Sequence, residues 1–368
     1  MLDFLRDEPQ NVVVVGDAFV ASETLEEAVR ASHLQVSSLS RAFWGTADSE
    51  EFAARQLHLE REGPEAEPWA DGLEALMADC TVLCTHFNPV SRALMDRTPQ
   101  LRAILTCRGG LEHIDLQAAS ERNIPVVNVI RNAVPVAEFA LGMMLGLTRN
   151  IAASHRFLME GSWVKRFPNS GFTSTLSNLT VGLAGLGNVG IEVALRLKAM
   201  GVSMIAYDGY LDRERLERSG LGDIQIVPAL EDVFRRADIF RQADIVSLHL
   251  RLTPETKHTI DKRYFSLMKP TAYFVNTARG GLVNQADLLE ALRSRAIAGA
   301  ALDVFDAEPL APEAGFMELD NVLITPHIAG ATEDAIPKSP FLLMREVDKI
   351  ITLGLSDRIV NRAQIQLN

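Results

Sequence analysis

The chain has 368 residues, 47% of them hydrophobic, and a formal net charge of −12. That length suggests about two domains, and that apolar content can bury a sizeable core, which excludes a disordered chain. The acidic balance argues against general affinity for nucleic acid or anionic membranes, so an anionic ligand would have to be drawn by a local cluster of positive charge. Three cysteines, Cys80, Cys84 and Cys107, are too few and too odd in number for a disulfide framework, and a reducing cytosol is expected. The first ten residues carry charges where a signal peptide needs an apolar centre. The apolar run Phe139–Leu147 is too short for a bilayer, which takes about 20 residues.

In chain order, short β-branched runs alternate with helical patterns, the signature of parallel α/β sheets. Strands are predicted at 11–16, 34–39, 81–85, 102–107 and 125–129. A charged stretch with Gly63, Pro64 and Pro68, from Asp48 to Asp71, reads as a surface excursion. The fourth strand stops at Arg108-Gly109-Gly110, which on turn chemistry alone is either a tight turn or a loop whose amides and arginine hold an anion. A single long helix is predicted from Val136 to Glu160, with Met143 and Met144 as core filler. A second sheet follows, with strands at 180–184, 202–207, 224–227, 244–248, 272–276, 298–304 and 322–325, and a local duplication around Arg236 and Arg241 before the fourth of these.

The first strand of that second sheet runs into Gly185-Leu-Gly187-Asn188-Val189-Gly190, a G-x-G-x-x-G between a strand and a helix. The next strand ends at Asp208, eighteen residues beyond Gly190. This is the full context of a dinucleotide fingerprint. Gly185 would make the tight turn, Gly187 would let the backbone approach a pyrophosphate, and Gly190 would let helix and strand pack closely. Asp208 would accept hydrogen bonds from ribose hydroxyls and repel a 2′-phosphate, which favours NAD over NADP, although Arg213 and Arg215 lie close in sequence.

Three later segments stand at strand ends: Asn276-Thr277-Ala278-Arg279-Gly-Gly, Asp303-Val-Phe-Asp-Ala-Glu308-Pro and Thr325-Pro-His327-Ile-Ala-Gly. Ligands of open parallel sheets bind at the carboxyl ends of the strands. Hydride transfer to a 2-keto acid needs a fork for the carboxylate and carbonyl, a proton donor, and a group that tunes that donor. Arginine suits the first task, histidine the second, and a carboxylate beside the histidine favours the imidazolium. Arg279, His327 and Glu308 supply the set.

With these motifs in place, the sequence resembles the D-isomer-specific 2-hydroxyacid dehydrogenases over nearly its whole length, most strongly from Asn132 to Thr332. The resemblance implies Arg279 as the substrate-binding arginine, Glu308 as the acid that tunes the histidine, and His327 as the general acid/base. It implies NAD as cofactor, with contacts from Gly185, Gly187, Asn188, Val189, Gly190, Asp208, Thr256, Thr277, Ala278 and Asp303. It also implies two Rossmann-like or flavodoxin-like parallel-sheet domains. The nucleotide-binding domain, 129–330, is inserted into a discontinuous substrate domain, 1–128 plus 331–368, which a last helix at about 333–353 rejoins. A homodimer through the inserted domain, an active site in the cleft and a small 2-hydroxy or 2-keto acid as substrate follow from the same resemblance. Across the cleft, the substrate would meet Arg108, Gly109 and Gly110.

Two departures from the family pattern bear on the substrate. The loop Arg108-Gly-Gly-Leu-Glu-His-Ile-Asp115 is about two residues shorter than in many members, and Arg251 stands where many have proline. Arg251 either reaches the cofactor or substrate or, the favoured reading, is a solvated strand-end side chain. Glu308 disfavours formate oxidation, since that branch carries glutamine there. A D-3-phosphoglycerate dehydrogenase, a reductase of glyoxylate or hydroxypyruvate, and an NAD(H)-sensing corepressor-like protein remain open.

Overall fold

A computed structural model describes residues 2–46, 48–227, 236–354, 356 and 358–366. The chain divides into two compact units, Met1–Arg131 with Thr332–Asn368 (unit 1), and Asn132–Ala331 (unit 2).

Unit 1 is built on a five-stranded parallel sheet: β1 (Gln10–Gly16), β2 (Val36–Phe43), β3 (Val82–Thr85), β4 (Ala103–Thr106) and β5 (Val126–Asn128), in the order β2-β1-β3-β4-β5. The inner strands are buried on both faces, which is why they read as near-continuous Val, Ile, Leu and Cys rather than as alternation. One face is closed by the helix Ser22–Arg30 and by the returning helix Ser339–Leu353, which bury Leu25, Ala28 and Val29 with Leu343, Met344, Val347 and Ile350 in one core. That last helix starts at Ser339 rather than near residue 333, with Pro340 in its first turn, where the missing N–H costs nothing. The other face is closed partly by the stretch expected to be a surface excursion. Asp48 instead caps a helix, Ser49–Glu62, by accepting from the Glu50 and Glu51 amides, and its Phe52 and Leu59 lie in the core beside Trp44. The charge density of that stretch conceals two apolar residues seven positions apart, two turns on one helix face.

Unit 2 carries a seven-stranded parallel sheet: β6 (Thr180–Ala184), β7 (Ser203–Tyr207), β8 (Gln225–Ile226), β9 (Ile245–Leu248), β10 (Tyr273–Asn276), β11 (Gly299–Leu302) and β12 (Val322–Ile324). The order is β12-β11-β10-β9-β6-β7-β8, a doubly wound arrangement that reverses direction at β6. The single helix expected from Val136 to Glu160 is two, Ala133–Thr148 and Ile151–Met159. Asn150 breaks it with a left-handed backbone, φ 55°, a conformation asparagine tolerates, and donates to the Asn169 side chain at 2.8 Å. Ala137, Ala140, Met143 and Met144 of the first piece pack with β6 and the helix Asn188–Ala199. Only Arg236 onward of the duplicated stretch is described, as the helix Arg236–Gln242.

Candidate active site

The glycine loop of unit 2 behaves as three different demands. Gly185 has φ 105°, and a Cβ there would sit 2.6 Å from the His249 carbonyl oxygen. A Cβ on Gly190 would sit 2.1 Å from the Gly185 carbonyl oxygen, so the helix Asn188–Ala199 and β6 can approach only because that atom is missing. Gly187, the N-cap, faces open space. The first intrahelical bond runs from the Ile191 N–H to the Gly187 carbonyl, leaving the positive end of the helix dipole directed at that space. Asn188 accepts from Arg215 Nη2 at 2.8 Å, and Val189 follows in the first turn. Asp208, at the end of β7, accepts from the Leu186 amide at 2.6 Å and the Tyr210 amide at 2.7 Å. Each oxygen keeps a second lone pair for a ribose hydroxyl.

At the end of β10, Asn276 is buried and fixes the turn that follows. Its Oδ1 accepts from the Ala278 amide and its Nδ2 donates to the Arg279 carbonyl, both at 3.0 Å. A Cβ on Gly280 would fall 2.0 Å from the Phe305 carbonyl carbon, so the Arg279 turn lies directly on the backbone leading to Glu308. Arg279 is exposed and donates from Nη1 to the Ala278 carbonyl at 2.7 Å. Thr277 is buried, and its hydroxyl oxygen has no hydrogen-bond partner among the described residues. An orphaned donor at the carboxyl edge of the sheet that carries the glycine loop fits a bound cofactor.

His327 Nδ1 stands 2.7 Å from Glu308 Oε2, and Glu308 Oε1 accepts from the Phe305 amide at 2.9 Å. Partial burial alone would raise the Glu308 carboxyl. The hydrogen bonds from His327 and the Phe305 amide, with the charges of His327 and Arg279, outweigh it and hold the carboxyl below its ordinary value. Since Nδ1 is engaged, Nε2 is the ring nitrogen left for a substrate. His327 has φ 54°, a left-handed backbone that costs a non-glycine residue on the order of 1 kcal/mol.

Asp303 is what holds that conformation. It is fully buried at the end of β11. Its carboxylate accepts from Thr325 Oγ1 at 2.6 Å and from the Ile328 and Ala329 amides at 2.9 and 2.8 Å, while its carbonyl accepts from the His327 amide at 2.8 Å. Asp303, expected among the cofactor contacts, also organises the histidine loop. Thr256 is similarly occupied: its hydroxyl donates to the Arg251 carbonyl and accepts from the Thr253 amide, each at 2.7 Å, which closes a turn. Arg251 is exposed.

In unit 1, Arg108 braces the loop from behind. It is 8% exposed, its guanidinium carbon lies 3.6 Å from the Phe87 ring centroid, and Nη2 donates to Glu60 at 2.8 Å. His113, fully buried, meets Thr106 Oγ1 through Nε2 at 3.0 Å. The Gly109 and Gly110 amides make no hydrogen bond among the described residues, so two adjacent donors stand free. Sequence reasoning missed Asn276, Phe305 and Thr325, whose parts are visible only once the strand ends are side by side. It also missed a second histidine–carboxylate pair, His258 Nε2 to Asp306 at 2.8 Å.

Residues 141–329 match the model for the NAD-binding domain of the D-isomer-specific 2-hydroxyacid dehydrogenases. A glyoxylate reductase of Thermofilum pendens is 34% identical over 313 residues, covering 82% of this chain and 88% of that protein. A D-3-phosphoglycerate dehydrogenase of Methanocaldococcus jannaschii is 36% identical over 278 residues, covering 75% of this chain but 50% of its own length, so the chain spans about half of that relative. The fold is shared with the NAD-complexed D-isomer-specific 2-hydroxyacid dehydrogenase of Lactobacillus delbrueckii ssp. bulgaricus, with TM-score 0.66, 23% identity, 95% of this chain and 99% of that one. The chain belongs to the D-isomer-specific 2-hydroxyacid dehydrogenase family, and NAD is its cofactor.

Proposed function

We propose that the protein transfers a hydride between NAD(H) and a small D-2-hydroxy or 2-keto acid. The observation that carries this reading is the His327–Glu308 pair at 2.7 Å, with Arg279 close enough for its charge to act on Glu308. Bound NADH supplies the hydride to the substrate carbonyl carbon. Arg279 donates its remaining N–H groups to the substrate carboxylate and carbonyl oxygen. His327, as imidazolium, gives its Nε2 proton to the developing alkoxide, and Glu308 orients and charge-balances the ring while this happens. The 2-hydroxy acid leaves, and the histidine regains its proton from solvent.

The glycine loop, with Gly187 facing open space and Asp208 at the end of β7, supports NAD held along the carboxyl edge of the unit 2 sheet. A homodimer through unit 2 is supported by the exposed apolar side chains Ile151, Leu158, Met159 and Trp163. Among the described residues, no helix is long and apolar enough to cross a membrane. The test is NADH oxidation across a panel of 2-keto acids, with turnover lost in His327→Ala while NADH still binds. Tight NADH binding with no turnover on any acid would favour a sensing role instead.

A further inference from the structure

Unit 1 contains a charged chain that the dehydrogenase reading does not use. Asp17 follows β1 and is fully buried. Its carboxylate accepts from the Phe19, Val20 and Phe87 amides at 2.9, 3.1 and 3.0 Å, and from His86 Nδ1 at 2.8 Å. Those four bonds saturate it and fix the tautomer of His86, which follows β3 and is also fully buried. With its proton on Nδ1, the ring offers Nε2 as an acceptor, and there it receives Arg131 Nη1. Burial first, against the opposing pull of Asp17, and then the charges of Arg131 and Arg108 keep this imidazole neutral, its pKa below the ordinary value.

Arg131 is therefore held by an uncharged partner. Among the described residues no carboxylate lies within ion-pair distance of it. Burial first and the like charge of Arg108 second work against its own charge and outweigh the opposite pull of Cys107, Asp17 and Glu60, none of which forms an ion pair with it. A guanidinium does not lose its proton in a protein, so a half-buried one without a counter-ion is a standing free-energy cost that an anion would remove. Arg108, two residues beyond the carboxyl end of β4, has Glu60 on Nη2. Its Nη1 is buried and has no partner among the described residues. These side chains come from the carboxyl ends of β1, β3, β4 and β5. In the order β2-β1-β3-β4-β5 the chain reverses direction between β1 and β3, where Asp17 and His86 stand, and that is where open parallel sheets receive ligands.

We propose that Arg131, presented by the Asp17–His86 pair and backed by Arg108, is an anion-binding side chain of unit 1 that takes the carboxylate or phosphate group of a small anionic ligand. The site rests on unit 1 alone. Guanidinium recognition suits either group, because both present paired oxygens to a planar fork.

The experiment is a binding measurement on the full chain. Inorganic phosphate and succinate are titrated by thermal shift against the wild type, Arg131→Met and Arg131→Lys. At least one of the two anions should give a saturable rise in melting temperature in the wild type. The rise should be absent from Arg131→Met and partly restored in Arg131→Lys, and the anion that gives it identifies the group. NADH affinity by fluorescence titration should be the same in all three, which separates loss of the anion site from loss of the fold. No saturable rise in the wild type, or the same rise in Arg131→Met, overturns the proposal whatever the activity.

Discussion

The Asp303 carboxylate accepts the Ile328 and Ala329 amides, and its own carbonyl accepts the His327 amide, so the left-handed turn that aims the histidine is bolted to the end of β11. The relationship makes a buried acid responsible for the position of an exposed base. Asp303→Asn keeps the size but turns an acceptor of three donors into a group that is half donor. Kcat should fall at least tenfold, with NADH affinity changed far less, and the protein should lose about 1–3 kcal/mol of stability. Denaturant unfolding and single-turnover kinetics check the two parts. Normal kcat in a folded variant would show that Asp303 has no hold on His327.

Glu308→Gln removes the charge beside His327 and keeps the shape. Proton transfer by a positioned acid contributes about 10²–10⁴-fold, and removing the group that orients it should forfeit one to two orders of magnitude in kcat. In the wild type Glu308 stays ionised below the pH at which an ordinary carboxyl protonates, because its folded-state pKa is depressed. Its interaction with His327 is therefore present above the usual carboxylate range and is lost only as pH falls through that depressed value. The acid side of the kcat profile should carry this feature in the wild type and lack it in Glu308→Gln.

Two alanine substitutions in the glycine loop should separate folding from binding. At Gly190 a Cβ meets the Gly185 carbonyl at 2.1 Å, so Gly190→Ala should destabilise unit 2 itself. At Gly187 a Cβ meets nothing, so Gly187→Ala should melt like the wild type and yet bind NADH at least tenfold more weakly. Fluorescence titration of NADH beside thermal melting reads both quantities. Equal NADH affinity in Gly187→Ala would mean that no pyrophosphate approaches that face.

Three buried imidazoles set the response to acid. Burial lowers His249 to about 4, lowers His113 well below its ordinary value, and lowers His86 against the pull of Asp17. All three are neutral in the folded chain and take up protons more readily once unfolded. Their contribution is thus complete above the unfolded value of about 6.5 and is lost as pH falls from there toward each depressed value. For His249 the loss by pH 4 is about 3 kcal/mol. Melting temperature should be level above neutrality and drop steadily below pH 6.5, more shallowly in His249→Leu; an unchanged slope in that variant would place the acid sensitivity elsewhere.

The inner strands could be read from the chain, because strands buried on both faces must be apolar runs and those runs stand between helical patterns; the edge strand β2, polar and half exposed, runs over Val36–Phe43 where 34–39 was expected. His327, Glu308 and Arg279 were readable for a related reason: strand ends are where ligands bind, and each follows a strand directly. What escaped notice depends on distance in sequence. Nothing around Asp17, His86 or Arg131 announces that residues 17, 86 and 131 form one chain of hydrogen bonds. The break at Asn150 was hidden because both halves of the helix keep the same apolar character. Arg108 looked like a ligand-facing cation since its counter-ion, Glu60, lies in a stretch whose charges suggested only solvent.

The returning helix Ser339–Leu353 supplies Leu343, Met344, Val347 and Ile350 to the core beneath Ser22–Arg30. A nascent chain therefore cannot cover that face of its first-made sheet until the inserted unit, Asn132–Ala331, has been made. The inserted, later-made unit becomes whole first, while Leu25 and Val29 wait uncovered and in need of protection from aggregation. Assembly order during synthesis thus runs opposite to the order of the two units along the message.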